Sequence, residues 1–113
     1  MQYFLAFGIE VVKVTYPNGG ESIVSGDPLN PPITWSTNDT KKPIAKVKLY
    51  RTKNGGATWE LIGKTPGNPE SYDRTPQVQT PKTACKVKIE LLDAIGNILG
   101  SDVSDNPFTI QLP

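Results

Sequence analysis

Lysines are the residues whose spacing best lends itself to chemistry. Lys46 and Lys48 alternate with Val47 and Leu49 in KVKLYRT, and Lys86 and Lys88 alternate with Val87 and Ile89 in CKVKIELLD. Successive side chains of an extended chain point to opposite faces. If these two stretches pair, Lys46, Lys48, Lys86 and Lys88 share one outward face with Tyr50 and Glu90. Such a face would draw an acidic polymer, sulfated or uronic, by local charge, with Tyr50 offering a ring at its end. The same residues also make a solvated sheet face that resists association. The expected antiparallel pairing sets Lys46 near Glu90, Lys48 near Lys88 and Tyr50 near Lys86, to within one pair step. Like charges that face each other oppose the pairing, and opposite charges support it.

Other chemistry is thinly supplied. The chain has no histidine, the commonest general base and metal ligand, and its one cysteine, Cys85, falls on the inward phase of an apolar alternation, where a thiol is a small hydrophobe. No nucleophile therefore has a base to activate it, and no catalytic residue is assigned. Asp73, Asp93, Asp102 and Asp105 all lie in turn-like segments instead of flanking a cleft. Asp102, Asp105 and Asn106, or Asp93 with Asn97, could offer oxygens to calcium, but Asp and Asn at those places also serve turns. No metal or other cofactor is expected. Twelve basic residues against eleven acidic ones leave a net charge of +1, which gives no global pull toward nucleic acid or an anionic membrane.

These residues must be positioned by strands. At 113 residues the chain is one domain with a single core. Residues 10–113 form it, and residues 1–9 are an N-terminal arm or the edge of a domain cut from a longer chain. Met1 to Ile9 is apolar but lacks a basic n-region and meets Glu10 before any small-residue cleavage site, so it does not read as a signal peptide; it is too short to span a bilayer. Glu10–Tyr16, Glu21–Val24, Ile33–Ser36, Lys46–Thr52, the stretch through Trp59 and Leu61, Ser71–Asp73, Ala84–Asp93, Ile98–Gly100 and Phe108–Leu112 read as strands. Gly63–Pro69 and Ser101–Pro107 read as breaks. No window holds apolar residues at helical spacing long enough for a helix.

Short strands with a turn every ten or so residues point to an all-β, two-sheet antiparallel sandwich of the immunoglobulin or fibronectin III kind, with seven to nine strands. Trp35, Val47, Leu49, Trp59, Val87, Ile89, Phe108 and Ile110 are the expected buried cluster. The hairpin Lys46–Leu61, closed by Asn54-Gly55-Gly56, is the local unit around which the core is expected to assemble.

The order of short motifs carries a resemblance. Tyr16-Pro17-Asn18-Gly19-Gly20-Glu21, Ile33-Thr34-Trp35, Val47-Lys48-Leu49, Thr52–Trp59, Tyr72–Pro76, Cys85–Ile89, Asp93 with Gly96, and Asp102–Ile110 run as in immunoglobulin-like modules of large secreted or surface proteins of bacteria and archaea. Arg74 stands where that family often carries a Trp. The resemblance covers about Val14 to Ile110. It implies an extracellular or cell-surface setting and a non-catalytic spacer or binding appendage beside other domains of a longer chain; a monomer, with a polysaccharide or protein as partner, is expected alongside. Thr52–Trp59 also resembles the Asp-box hairpin of sialidases, with Asn54 in place of the Asp. There the box is a structural turn, and Thr52, Asn54 and Thr58 are accordingly read as turn-locking side chains. The alternative is a carbohydrate-binding module that stacks sugars on exposed aromatics such as Tyr50, Tyr72 or Tyr3.

Overall fold

The computed structural model of the chain describes residues 11–38, 40 and 42–113. The expected arm at residues 1–9, the start of the first strand at Glu10, and Tyr3 lie outside the described residues. Nine strands follow in order: β1 (Val12–Tyr16), β2 (Ser22–Val24), β3 (Ile33–Thr37), β4 (Lys46–Thr52), β5 (Glu60–Pro66), β6 (Ser71–Tyr72), β7 (Lys82–Leu92), β8 (Ile98–Val103) and β9 (Phe108–Gln111). They make a small sheet, β1-β3-β6, and a larger one, β2-β9-β7-β4-β5, with β8 also on β7. The described residues form no helix. The fold is the all-β sandwich that the strand pattern implies.

The eleven-residue strand β7 is the hub. One edge pairs with the whole of β4, from Lys46 opposite Leu92 to Thr52 opposite Lys86. Its other edge is shared: Lys82 and Cys85 meet β9, while Lys88–Leu92 meet β8. The inward row Val47, Leu49, Val87, Ile89 and Leu91 packs against Val12, Val14, Ile33 and Trp35 from the facing sheet, with Phe108 and Ile110 closing one end. Period-two alternation produces this burial, because a slip of one residue would expose the whole row. Trp35 is 3% exposed, and its indole N–H donates to Asn68 Oδ1 at 2.8 Å.

Ser104 and Asn18 join the two halves of the chain. Ser104 Oγ donates to the Pro17 carbonyl and accepts the Val87 N–H, at 2.8 and 3.0 Å. The Asn18 side chain accepts the Asp105 N–H and donates to the Asp105 carboxylate. Glu21 in turn accepts the N–H groups of Asn18 and Gly19. Gly19, at φ +145°, lies so close to Asn106 that a Cβ would stand 2.6 Å from the Asn106 Cβ. Two of the motifs that carry the family resemblance, PNGGE and DVSDNPF, thus form one clasp.

Four expectations need correction. Ser101–Val103 is strand, not loop: Ser101 and Asp102 are buried, and the Asp102 carboxylate accepts the Val14 N–H at 2.8 Å, so polarity here marks a bond between sheets and not exposure. Gly63 does not break the chain but lies within β5, where the Tyr72 hydroxyl sits in the space a Cβ would fill, 2.3 Å away. Val11, which alternation puts on the face of Lys13 and Thr15 opposite Val12 and Val14, is buried as they are, against Gly100. Trp59 is not a core residue: a bulge in β5 turns it to the other face.

Truncating the buried indole tests the core: Trp35→Ala should lower the unfolding free energy by about 3–5 kcal/mol in a urea titration. A loss below about 1 kcal/mol would contradict the packing described.

Candidate functional site

The candidate ligand face is the outer surface of β4 and β7. Its register is fixed on the inner side by Val47 opposite Leu91 and Leu49 opposite Ile89. On the outer side Lys46 faces Leu92, Lys48 faces Glu90, Tyr50 faces Lys88 and Lys86 faces Thr52. The specific pairs expected, Lys46 with Glu90 and Lys48 with Lys88, are therefore displaced by one pair step. The displacement favours the sheet, because Lys48 gains an opposite charge across the ladder instead of a like one. Lysines do meet on the other side of β4, where Lys48 faces Lys64 of β5.

A bulge moves Trp59. Leu49 pairs with Gly63 and Tyr50 with Leu61, so Ile62 is the extra residue and the phase of β5 reverses across it. Beyond the bulge Leu61 shares the outer face with Tyr50, and Trp59 follows it. The Lys88 ammonium lies 4.9 Å from the Tyr50 ring centroid and 4.7 Å from that of Trp59, a cation held against two aromatic faces. Leu61, 51% exposed, extends this row toward the sheet edge. Lys88 is thus more than the free positive charge the sequence implies.

The turn below this row is locked as its residue types suggest. Thr52 Oγ1 donates to Asn54 Oδ1 at 2.8 Å and accepts the Gly56 N–H at 2.9 Å, and Asn54 Oδ1 accepts the Thr58 N–H at 3.0 Å. Gly55 N–H donates to the Ala84 carbonyl, which ties the turn to β7. Gly56 takes φ +101°, and a Cβ there would stand 3.7 Å from the Trp59 ring. These bonds hold Trp59 at the outer face.

Electrostatics on the face are local. The Tyr50 hydroxyl donates to Glu90 Oε1 at 3.0 Å, and burial, then that hydrogen bond, then the Glu90 charge push its pKa above the ordinary phenol value. Burial would raise Glu60, but Arg51 and Lys53 outweigh it and hold the carboxyl below its ordinary value. Cys85 is buried, and desolvation raises its thiol, against weaker opposing effects that include Arg51, Lys53 and Lys82. A thiol so placed is a poor nucleophile.

Two of the acidic candidates, Asp93 and Asp102, are spent on backbone. Asp93 Oδ1 accepts the N–H groups of Ile95 and Asn97 at 3.1 and 2.8 Å, while Oδ2 accepts the Asn97 amide and lies 3.8 Å from Lys42 Nζ. Asp102 faces Val14, whereas Asp105 is exposed beside Asn18. Among the described residues no three of His, Cys, Asp and Glu gather as a metal site. Tyr72 is half-buried against the core with its hydroxyl toward the Ile62 carbonyl, away from the outer face of β4 and β7. The outer face thus brings together Lys48, Tyr50, Lys88 and Glu90, which alternation alone singled out, with Trp59 and Leu61, which it did not. A Trp directly after a locked turn was the available signal.

No family model matches the chain, and no curated protein matches it in sequence. Among solved structures it is similar to the fibronectin(III)-like modules of CbhA from Clostridium thermocellum. That match has a TM-score of 0.64 at 19% identity, over 89% of this chain and 97% of the other. The likeness is one of fold.

Two measurements check this geometry. A double-mutant cycle with Lys88→Met and Trp59→Leu should give a coupling of about 0.5–1 kcal/mol, the size of a cation–π contact at a partly exposed site; a coupling near zero removes it. For Asp93, burial acts upward, but the Asn97 and Ile95 donors and Lys42 prevail and hold the carboxyl below its ordinary value of 3.8. A depressed native value means that ionised Asp93 stabilises the fold above that ordinary value and that the contribution fades as pH falls through the lower native one. Asp93→Asn should therefore be less stable than the parent at pH 7, with the gap closing in acid. A gap that stays constant from pH 7 to about pH 2 would contradict this.

Proposed function

We propose that the chain is a non-catalytic immunoglobulin-like module, a structural or interaction unit of a larger secreted or cell-surface protein of the bacterial and archaeal kind it resembles. The observation that carries this reading is where the reactive groups are spent. Asp93, Asp102, Ser104 and Asn54 each bond backbone or turn atoms, and Cys85 is sealed in the core. The fold likeness to fibronectin(III)-like modules of CbhA supports it, since such modules sit as units within longer chains. Flanking domains would be its first partners, and the module itself would stay monomeric. No helix among the described residues is long and apolar enough to cross a membrane.

A second reading, carbohydrate binding, draws on one feature: the Trp59, Lys88, Tyr50 and Leu61 row on the outer sheet face. Aromatic rings beside lysines suit an acidic polysaccharide, with the sugar against the ring and the carboxylate or sulfate against Lys46, Lys48 or Lys86. Titration with heparin and, separately, with a neutral glucan at low salt, read through backbone amide shifts, separates the readings. A polymer-binding face should show heparin-specific shifts on β4, on β7 and at Trp59, fading as salt rises past about 0.15 M, where the screening length is about 8 Å. If neither polymer moves these residues, or both move them equally, the face is a solvated sheet surface and the module is a spacer.

A further inference from the structure

Ile95 stands in the turn between β7 and β8 and is 79% exposed, the most open of the large apolar side chains among the described residues. The turn that presents it is held by its own backbone bonds. Asp93 Oδ1 accepts the N–H groups of Ile95 and Asn97, and the Asp93 carbonyl accepts that of Gly96. With Pro43, Ala45 and Ala94, Ile95 lines a groove of about 250 Å³ whose remaining walls, Lys42 and Asp93, pair with each other. Ala45 is fixed there by its N–H, which donates to the Leu92 carbonyl at 2.8 Å. Ile98, 45% exposed, faces Leu92 from the other side of β7.

An apolar groove whose charged groups are already paired selects an apolar occupant. Its volume falls below the roughly 300–1,000 Å³ of a pocket for a free small molecule. Its six lining residues are also few beside the roughly 20–30 a side of a stable interface between separate proteins. A tethered segment escapes that requirement, because its effective concentration is millimolar without any further contact. The chain carries such a segment at the same end of the sandwich. The first described residue, Val11, packs on Gly100, two positions along β8 from Ile98, and its carbonyl accepts the Asn38 N–H. Ahead of it in sequence come Tyr3, Phe4, Leu5, Ala6, Phe7 and Ile9. The stretch from Tyr3 to Glu10 can reach up to about 28 Å when extended, more than either shorter dimension of the molecule, 26 and 24 Å. We infer that the groove at Ile95 is the docking site of the chain's own apolar segment Tyr3 to Ile9, with an aromatic ring of that segment seated against Ile95. Docked there, the segment is part of this module and not of a domain ahead of it.

The test uses the intact chain, labelled with carbon-13 at the isoleucine δ-methyls and with protonated Phe and Tyr in a deuterated background. Nuclear Overhauser contacts are expected between the Ile95 methyl and ring protons of Tyr3, Phe4 or Phe7, with the methyl signal moved upfield by the ring. In a Phe4→Ala/Phe7→Ala double variant that signal should return toward its random-coil position and the melting temperature should fall by about 3 °C or more. The Ile89 methyl should stay in place as the sign of an intact core. If the double variant disturbs Ile89, Ile95→Ser asks the same question from the groove side, and the ring signals of Phe4 and Phe7 should shift instead. Contacts that arise between labelled and unlabelled chains in a mixed sample would make the groove an interface between copies and overturn the assignment. An Ile95 methyl without ring contacts, unmoved by the double variant, overturns it as well and leaves the patch to a neighbouring domain.

Discussion

Val14 donates its backbone N–H to the carboxylate of Asp102, a side chain 1% exposed, and so ties a strand of the small sheet to a strand of the large one. Ser104, two residues on, receives the Val87 N–H and gives its own hydroxyl proton to Pro17. A buried ionisable group is tolerated only where donors meet it, so the path of β1 against β8 is dictated as much by this chain of polar bonds as by the apolar row. The bonds span 87 and 88 residues of sequence, the kind of distant join that a disulfide makes in antibody domains. With a single cysteine, this chain makes it with a carboxylate and a hydroxyl.

The outer face depends on that frame. β7 takes its place between β4 and its shared partners β8 and β9, β4 takes its register from β7, and the Asn54 turn is anchored back on β7 through Ala84. Trp59 reaches Lys88 because those constraints coincide with the bulge at Ile62. Under the bulge, Gly63 leaves room for the Tyr72 hydroxyl, so the small sheet's last strand and the large sheet's edge fit together at the one residue without a side chain.

Alternation was readable wherever strands carry it cleanly. Val47, Leu49, Val87, Ile89, Phe108 and Ile110 are buried as their phase demands, as is Trp35. What could not be read was phase beyond an interruption. Trp59 and Leu61 sit after a turn whose length does not announce the extra residue, and one inserted residue exchanges the two faces of a strand. Ser101 and Asp102 looked like loop because composition records polarity and not whether a donor waits across the sheet. The lysines were placed on the correct face, yet which residue each opposes rested on a register that alternation leaves uncertain by two.

The pairing of β2 with β9 bears on how such a unit would carry mechanical load. Ser22, Ile23 and Val24 lie parallel to Thr109, Ile110 and Gln111. Tension entering the chain ahead of β2 and leaving it after β9 pulls these two strands in opposite directions along their common axis. Their hydrogen bonds, and the buried Ile23 and Ile110 beside them, are then loaded together in shear and not peeled one at a time. Resistance to stretching would reside in this short parallel contact between the second strand and the last, and the outer sheet face would keep its shape until that contact gave way.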